Sequence, residues 1–372
     1  MLRNLRNLLE RLENAIDVEK QQWIRVLHRK TLDWEEIDRP PLRLSYPFAA
    51  VDELSLYGAE EICDNPEKML FNELLYAFDT SILLHNDIDD DLPYTVRGNF
   101  GTVIMASLFG GEIRQIGGNP PWVEKLGGFD DFRRVLAVDA ADFSKGLCPK
   151  VIESYQFFHH AFESFPAVMS AVSIVLPDLQ GPFDTAEMLR GSEIFVDLYD
   201  EPETVCAAMD RIAEAQIRFA ERLGRYLTNT STGYSFQHAV MIKGNILLRD
   251  DSSIMLSPDI YRERVAPHDA RVLAGMNGGG IHACGRMSHL IDEYLALSSI
   301  KCIDIGQSVM NDIDAIYRKA TSAKTALCRI AVTKEELLDG SAKRRFPTGA
   351  ILTHACTNVA EAASIMKAYR EL

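Results

Sequence analysis

His282 and Cys284 stand two residues apart in the run Ile281, His282, Ala283, Cys284, Gly285, and Cys356 lies far downstream in Thr353, His354, Ala355, Cys356, Thr357. On an extended strand end, residues two apart point to the same face. A close pair followed by a distant third donor suits an open catalytic zinc site, in which three protein groups hold the ion and a fourth position stays free. Two thiolates and an imidazole favour zinc over magnesium or calcium. A cysteine by itself is more often core filler, so context matters. Each motif follows an apolar run, residues 278–281 and 350–353, and precedes a helical pattern, residues 286–297 and 358–372. Turns from strand to helix are where parallel α/β folds place chemistry.

Four residues are candidates for a fourth donor: Asp251, Asp304, Cys302 and His354. Asp250 and Asp251 both follow a strand pattern. Ser252 and Ser253 beside them suit a capping role for Asp250, and Asp251 is assigned to the site. His354 is alternatively a hydrogen-bond donor from behind the ligands.

The elements that must position these residues come as a repeating rhythm. Strands are expected at 168–176, 245–249, 278–282, 300–305, 325–332 and 346–353, separated by helices at 185–196, 202–227, 258–273, 286–297, 312–323 and 334–338. Parallel strands need such crossovers. Six units fit a (β/α)8 barrel closed by earlier strands. A doubly wound sheet is the alternative, but no G-x-G-x-x-G follows an expected strand. Upstream, Leu5, Leu8, Leu9 and Leu12 repeat at helical spacing, as do Trp23, Val26 and Leu27, and then Met69, Leu70, Leu74 and Phe78. Residues 42–46 read as a short strand and 82–109 as irregular. No Ser/Gly linker appears, so the chain reads as one domain, with 1–147 as an extension plus the first barrel elements and 148–372 carrying the site.

Composition bounds the function. The 372 residues carry a formal net charge of −15 and 47% hydrophobic residues. That argues for a globular protein and against nucleic-acid partners, which need a basic surface. The seven cysteines lack regular spacing, as expected of reduced thiols in a cytoplasmic protein. No stretch of ~18 apolar residues is present, so no membrane span is expected.

Taken together, several segments resemble the uroporphyrinogen decarboxylase superfamily. They are Gln180, Gly181, Pro182, Phe183 before a helix; Asp200, Glu201, Pro202, Glu203 opening the long helix; Asp250, Asp251, Ser252, Ser253 followed by Leu256, Ser257, Pro258; the run from Ile281 to Gly285; and the closing stretch from Gly349 to Cys356. Weaker similarity at 99–110 and in the N-terminal helices extends the resemblance over most of the chain. It implies a distorted (β/α)8 TIM barrel with an N-terminal helical extension.

One branch of that superfamily decarboxylates uroporphyrinogen; the other contains zinc methyltransferases that exchange a methyl group with a corrinoid protein. His282, Cys284 and Cys356 fall on the zinc positions of the second branch. The decarboxylase signature is replaced by the run from Pro41 to Pro47, its substrate-contacting tyrosine by Met188, and its catalytic aspartate corresponds to Asp87. The resemblance therefore implies a methyltransferase with bound Zn2+, a small methyl donor or thiol acceptor, and a corrinoid carried by a separate protein, as in anaerobic metabolism. A tetrapyrrole decarboxylase and a non-catalytic binder of a corrinoid or tetrapyrrole are the alternatives.

Overall fold

The structure, a computed structural model, describes residues 1–47, 55–78, 88–115, 117–228, 233–237 and 239–372. Twelve strands occur among the described residues: β1 Leu42–Ser45, β2 Thr95–Arg97, β3 Glu112–Arg114, β4 Trp122–Glu124, β5 Ser173–Val175, β6 Tyr234–Gln237, β7 Val240–Lys243, β8 Ile246–Arg249, β9 Gly279–Ala283, β10 Ile300–Ile305, β11 Ala326–Ala331 and β12 Ala350–Ala355. Six form one sheet in the order β1-β12-β11-β10-β9-β8, and every neighbouring pair is parallel. Helices make the crossovers: Ala266–Gly275 before β9, Ile291–Ala296 before β10, Ile313–Ala323 before β11, and Lys334–Leu338 before β12.

β2 and β5 form a separate parallel pair. Isolated links tie this pair's surroundings to the large sheet: a bridge between Gln180 and Arg249 on one side, and the Asp91 N–H donating to the Leu42 carbonyl at 3.1 Å on the other. The sheet is not closed by a continuous ladder. The architecture is thus α/β with a parallel sheet wrapped by helices.

The strand sequences explain this arrangement. β8 and β9 are buried along their whole length, as expected when both faces of a parallel sheet are covered. On the helix side, Ile313, Ile316 and Ala320 place the buried stripe of one crossover at helical spacing. On the inner side, Leu247, Cys302, Ala326, Cys328 and Ile351 pack against Phe236, Val240, Met241 and Ile242. Those four belong to the β6–β7 hairpin, an antiparallel pair that plugs the concave face. The polar layer described below lies beyond this apolar plug along the strands.

Several expected elements differ in the structure. The run at 168–176 splits into a helix, Pro166–Ala171, followed by β5. Pro166 sits in the first helical turn, where a missing N–H costs nothing. The helix expected at 286–297 begins only at Ile291, because the backbone N–H groups of Met287 and Ser288 donate to the Asn311 side chain instead. The helix expected at 258–273 is interrupted by a wide turn at Tyr261–Val265, immediately before Pro267, which has no N–H to continue the ladder. Trp23, expected on the buried face of Val18–Leu32, is 48% exposed, and it lies under the guanidinium groups of Arg39 and Arg370 at 5.5 and 5.8 Å. Among the described residues, no helix is long and apolar enough to cross a membrane.

Candidate functional site

The parallel register of β8, β9 and β10 builds the centre of the site. His282 on β9 pairs with Arg249 on β8 and with Asp304 on β10, so three long polar side chains enter from adjacent strands at one level. Cys284 follows the end of β9 and Asp251 the end of β8. The Asp251 carboxylate accepts from the Cys284 backbone N–H at 2.6 Å, which locks the two strand ends together. The Cys284 sulfur lies 3.4 Å from His282 Nε2, and Asp251 Oδ1 lies 3.6 Å from the same nitrogen. The donor atoms of Asp251, His282 and Cys284 all lie within 4.8 Å of one another, and among the described residues no other set of three meets that spacing.

Behind the ring, His282 Nδ1 faces Asp304 Oδ2 at 3.1 Å and an Arg329 guanidinium nitrogen at 2.9 Å. Arg329 Nε also donates to Asp304 Oδ1 at 2.5 Å. A carboxylate holding Nδ1 leaves Nε2 turned toward Cys284 and Asp251, the arrangement found behind histidines that bind metals. Arg329 reaches this position because β11 is irregular: the register shifts between Leu327 and Ile330, and Arg329 takes the left-handed conformation with φ 58°. Gly306 makes the space. A Cβ there would lie 2.8 Å from the Cys284 sulfur and 2.9 Å from His282 Cε1.

Electrostatically the cluster is incomplete as a set of protein groups. Burial, and then the Asp251 carboxylate, push the Cys284 thiol up to about 11. The Asp251 carboxylate disfavours the ionised Cys284 thiolate, and a divalent cation would relieve that opposition. The donor set of sulfur, ring nitrogen and carboxylate oxygen fits zinc.

The other expected site residues fall elsewhere. Cys356 is buried just past β12, where its N–H donates to the Ser45 carbonyl at 2.7 Å. β12 is separated from β9 by β10 and β11, and at ~4.8 Å per strand this is roughly 14 Å along the sheet. Its thiol is pushed up by burial and by Glu361, with Lys334 opposing. The structure does not bring Cys356 to His282 and Cys284. His354 Nδ1 bonds the Val332 carbonyl at 2.8 Å and touches none of the three donors. Cys302 sits in the apolar plug beside Cys328. Asp304 stands behind His282 and not in the ring of donors. Asp87 lies outside the described residues. Met188 is buried in the core.

A cavity of about 460 Å3 adjoins the cluster through Arg329 and is lined also by Arg43, Arg97, Glu73, Tyr76 and Asn99. Its arginines come from β1, β2 and β11. A charged residue inside an otherwise apolar strand pattern was the available signal, at Arg43 in 42–46 and Arg329 in 325–332.

Asp250 also differs from expectation. It caps no helix. Its carboxyl is fully buried on the far side of the strand end from Asp251, within hydrogen-bonding reach of Asp184 and Asp269. Neither of its oxygens meets a hydrogen-bond donor, and one oxygen of each partner is equally bare. Burial raises the affinity of Asp184 and Asp269 for protons well above the usual carboxylate range, with Asp250 adding to it, and burial pushes Asp250 up to about 6. Tyr261 donates to Asp269 at 2.7 Å, and the Ser252 N–H to Asp184 at 2.9 Å.

No family model and no curated protein sequence matches the chain. A solved structure described as a methyltransferase from Methanosarcina mazei has the same fold: the TM-score is 0.62 at 16% identity, over 93% of this chain and 97% of that one. At that identity the likeness defines a shared architecture.

Proposed function

We propose that the protein is a zinc-dependent methyltransferase that moves a methyl group between a small methylated compound or thiol and a corrinoid carried by a separate protein. The observation that carries this reading is the convergence of Asp251, His282 and Cys284 at the C-terminal ends of β8 and β9. The methyltransferase name of the structural neighbour supports it. So does the strand arrangement. β1, β2, β5 and β8 to β12 are eight strands, linked in parallel pairs or by the isolated bonds described above, and this suits a distorted (β/α)8 barrel preceded by two helices.

His282 and Cys284 would hold the ion, with Asp251 as an oxygen donor. Zinc held there would supply Lewis acidity toward a heteroatom or favour a thiol as its anion at neutral pH. The residues behind it set the geometry. Asp304 Oδ2 and an Arg329 guanidinium nitrogen both face His282 Nδ1, which leaves Nε2 turned toward Cys284 and Asp251. Arg329 fixes Asp304 in turn, and the Cys284 N–H holds Asp251 in place.

The test is zinc content and affinity of the purified protein beside His282→Ala. We expect about one zinc per chain, bound roughly tenfold or more weakly by the variant. Unchanged affinity in His282→Ala would remove the cluster of Asp251, His282 and Cys284 as the metal site. The arginine-lined cavity is the one observation that favours a decarboxylase, but about 460 Å3 suits a small molecule better than a tetrapyrrole with eight carboxylates.

A further inference from the structure

We infer that Cys302 and Cys328 form a second metal site, a pair of thiols that takes a soft monovalent cation such as Cu(I), separate from the donors at the strand ends. The two residues enter from neighbouring parallel strands. The register of β10 and β11 sets Cys302 opposite Ala326 and Asp304 opposite Cys328. Cys302 and Asp304 are two apart and share a face, so Cys328 shares it too, one step along the ladder. Both cysteines are fully buried and pack in the apolar layer against the β6–β7 hairpin. The two thiols are in hydrogen-bond contact, and neither is in a disulfide. Gly280, opposite Cys302 on β9, gives that sulfur its place: a Cβ there would lie 2.5 Å from it.

The spacing decides what the pair can do. Two residues of rise and one strand of separation put the Cα atoms roughly 8 Å apart. A disulfide needs them within about 7 Å, so the sulfurs join directly only if the strands move. An ion bonded to both sulfurs spans the wider gap with the strands in place. The neighbours Phe236, Ile242, Leu247 and Ile351 offer no oxygen or nitrogen from their side chains, which disfavours zinc, calcium and magnesium at this point. Met241 of the hairpin packs in the same layer and brings a thioether. Thiolate and thioether donors select Cu(I). On binding, each thiol gives its proton to solvent and forms one metal–sulfur bond, and no electron is transferred.

Val175 packs in this layer and also lines the cavity described above, as does Arg329, which follows Cys328. The layer therefore borders the cavity, the side from which an ion would enter. An ion here ties β10 to β11 beside Asp304 and Arg329, the two residues that face His282 Nδ1. The inference stands whether or not the strand-end cluster binds zinc.

Cu(I) is titrated without oxygen into the full chain, already saturated with zinc, in competition with bicinchoninate, and the loaded protein is examined by X-ray absorption at the copper edge. About one tightly held copper per chain is expected, with sulfur neighbours alone, and it is expected to remain in Cys284→Ser. Cys302→Ala and Cys328→Ala are each expected to bind it roughly 100-fold or more weakly. Circular dichroism melts identify any variant that has lost its fold, and the copper spectra of the unaltered protein and of Cys284→Ser then decide. Nitrogen among the copper neighbours, or loss of the copper in Cys284→Ser, places the ion at His282 and overturns the inference. Unchanged affinity in a folded Cys302 or Cys328 variant overturns it, as does a chain that holds no copper against bicinchoninate.

Discussion

Asp250 and Asp251 are neighbours in sequence, and the chain turns them to opposite sides. Asp251 faces the mouth of the sheet, where it meets a backbone N–H, a thiol and an imidazole backed by Arg329 and Asp304. Asp250 faces the helix layer, where it meets two further carboxyl groups. After burial, the largest influences on Asp184, Asp250 and Asp269 come from carboxyl groups, hydroxyl groups and a backbone N–H. Both clusters concentrate potential negative charge at one strand end. Donors of the first converge on one point and suit a metal. The second set does not converge in that way, and burial raises the proton affinity of its members. Similar side chains therefore serve different ends according to whether their oxygens point at a common centre.

That contrast is sharpest at the sulfur. Cys284→Ser is expected to remove most bound zinc and with it any methyl transfer, measured by metal analysis and by turnover with a methylated corrinoid. Full zinc content in this variant would mean that the first cluster is no more a metal site than the second. Asp304→Asn is a smaller change. It keeps the volume but loses the carboxylate charge that faces His282 Nδ1, and metal affinity is expected to fall about 10- to 100-fold with the fold intact. Affinity within twofold of the unaltered protein would show that Asp304 serves packing only.

The carboxyl chain should respond to protons instead. Its members take up protons more readily in the folded protein than in the unfolded one. Their contribution to stability is therefore full at low pH, below the unfolded value near 3.8, and declines as pH rises through the folded values, about 6 for Asp250 and well above 3.8 for its partners. Asp184→Asn removes one charge and can still accept from the Ser252 N–H. The variant should gain about 1 kcal/mol over the unaltered protein at pH 8 and nothing at pH 4. Denaturant melts at the two pH values give the comparison, and a loss of stability at pH 8 would contradict the raised proton affinity.

The His282 and Cys284 pair was legible in the sequence because strand alternation fixes which side chains share a face. β10 was legible to the residue, since Ile300, Cys302, Ile303 and Ile305 are apolar and its last four residues are buried. The β6–β7 hairpin was missed, since its residues carry no two-residue turn signal of Asn-Gly or Asp-Gly type. Arg329 was missed for another reason: its position depends on an irregularity in β11 that only pairing with β10 and β12 produces. The role of Asp250 was misread because a capping aspartate and a buried one look alike until the helices pack over it. Cys356 marks the limit of arguments from spacing, which place a donor at a strand end without saying how many strands lie between.

X-ray absorption at the zinc edge of the protein, purified without chelators, tests the central proposal most directly. A zinc signal is expected with at least one sulfur neighbour at about 2.3 Å and nitrogen or oxygen neighbours near 2.0–2.1 Å, the sulfur signal diminishing in Cys284→Ser. No bound metal, or a metal surrounded by oxygen alone, would contradict it.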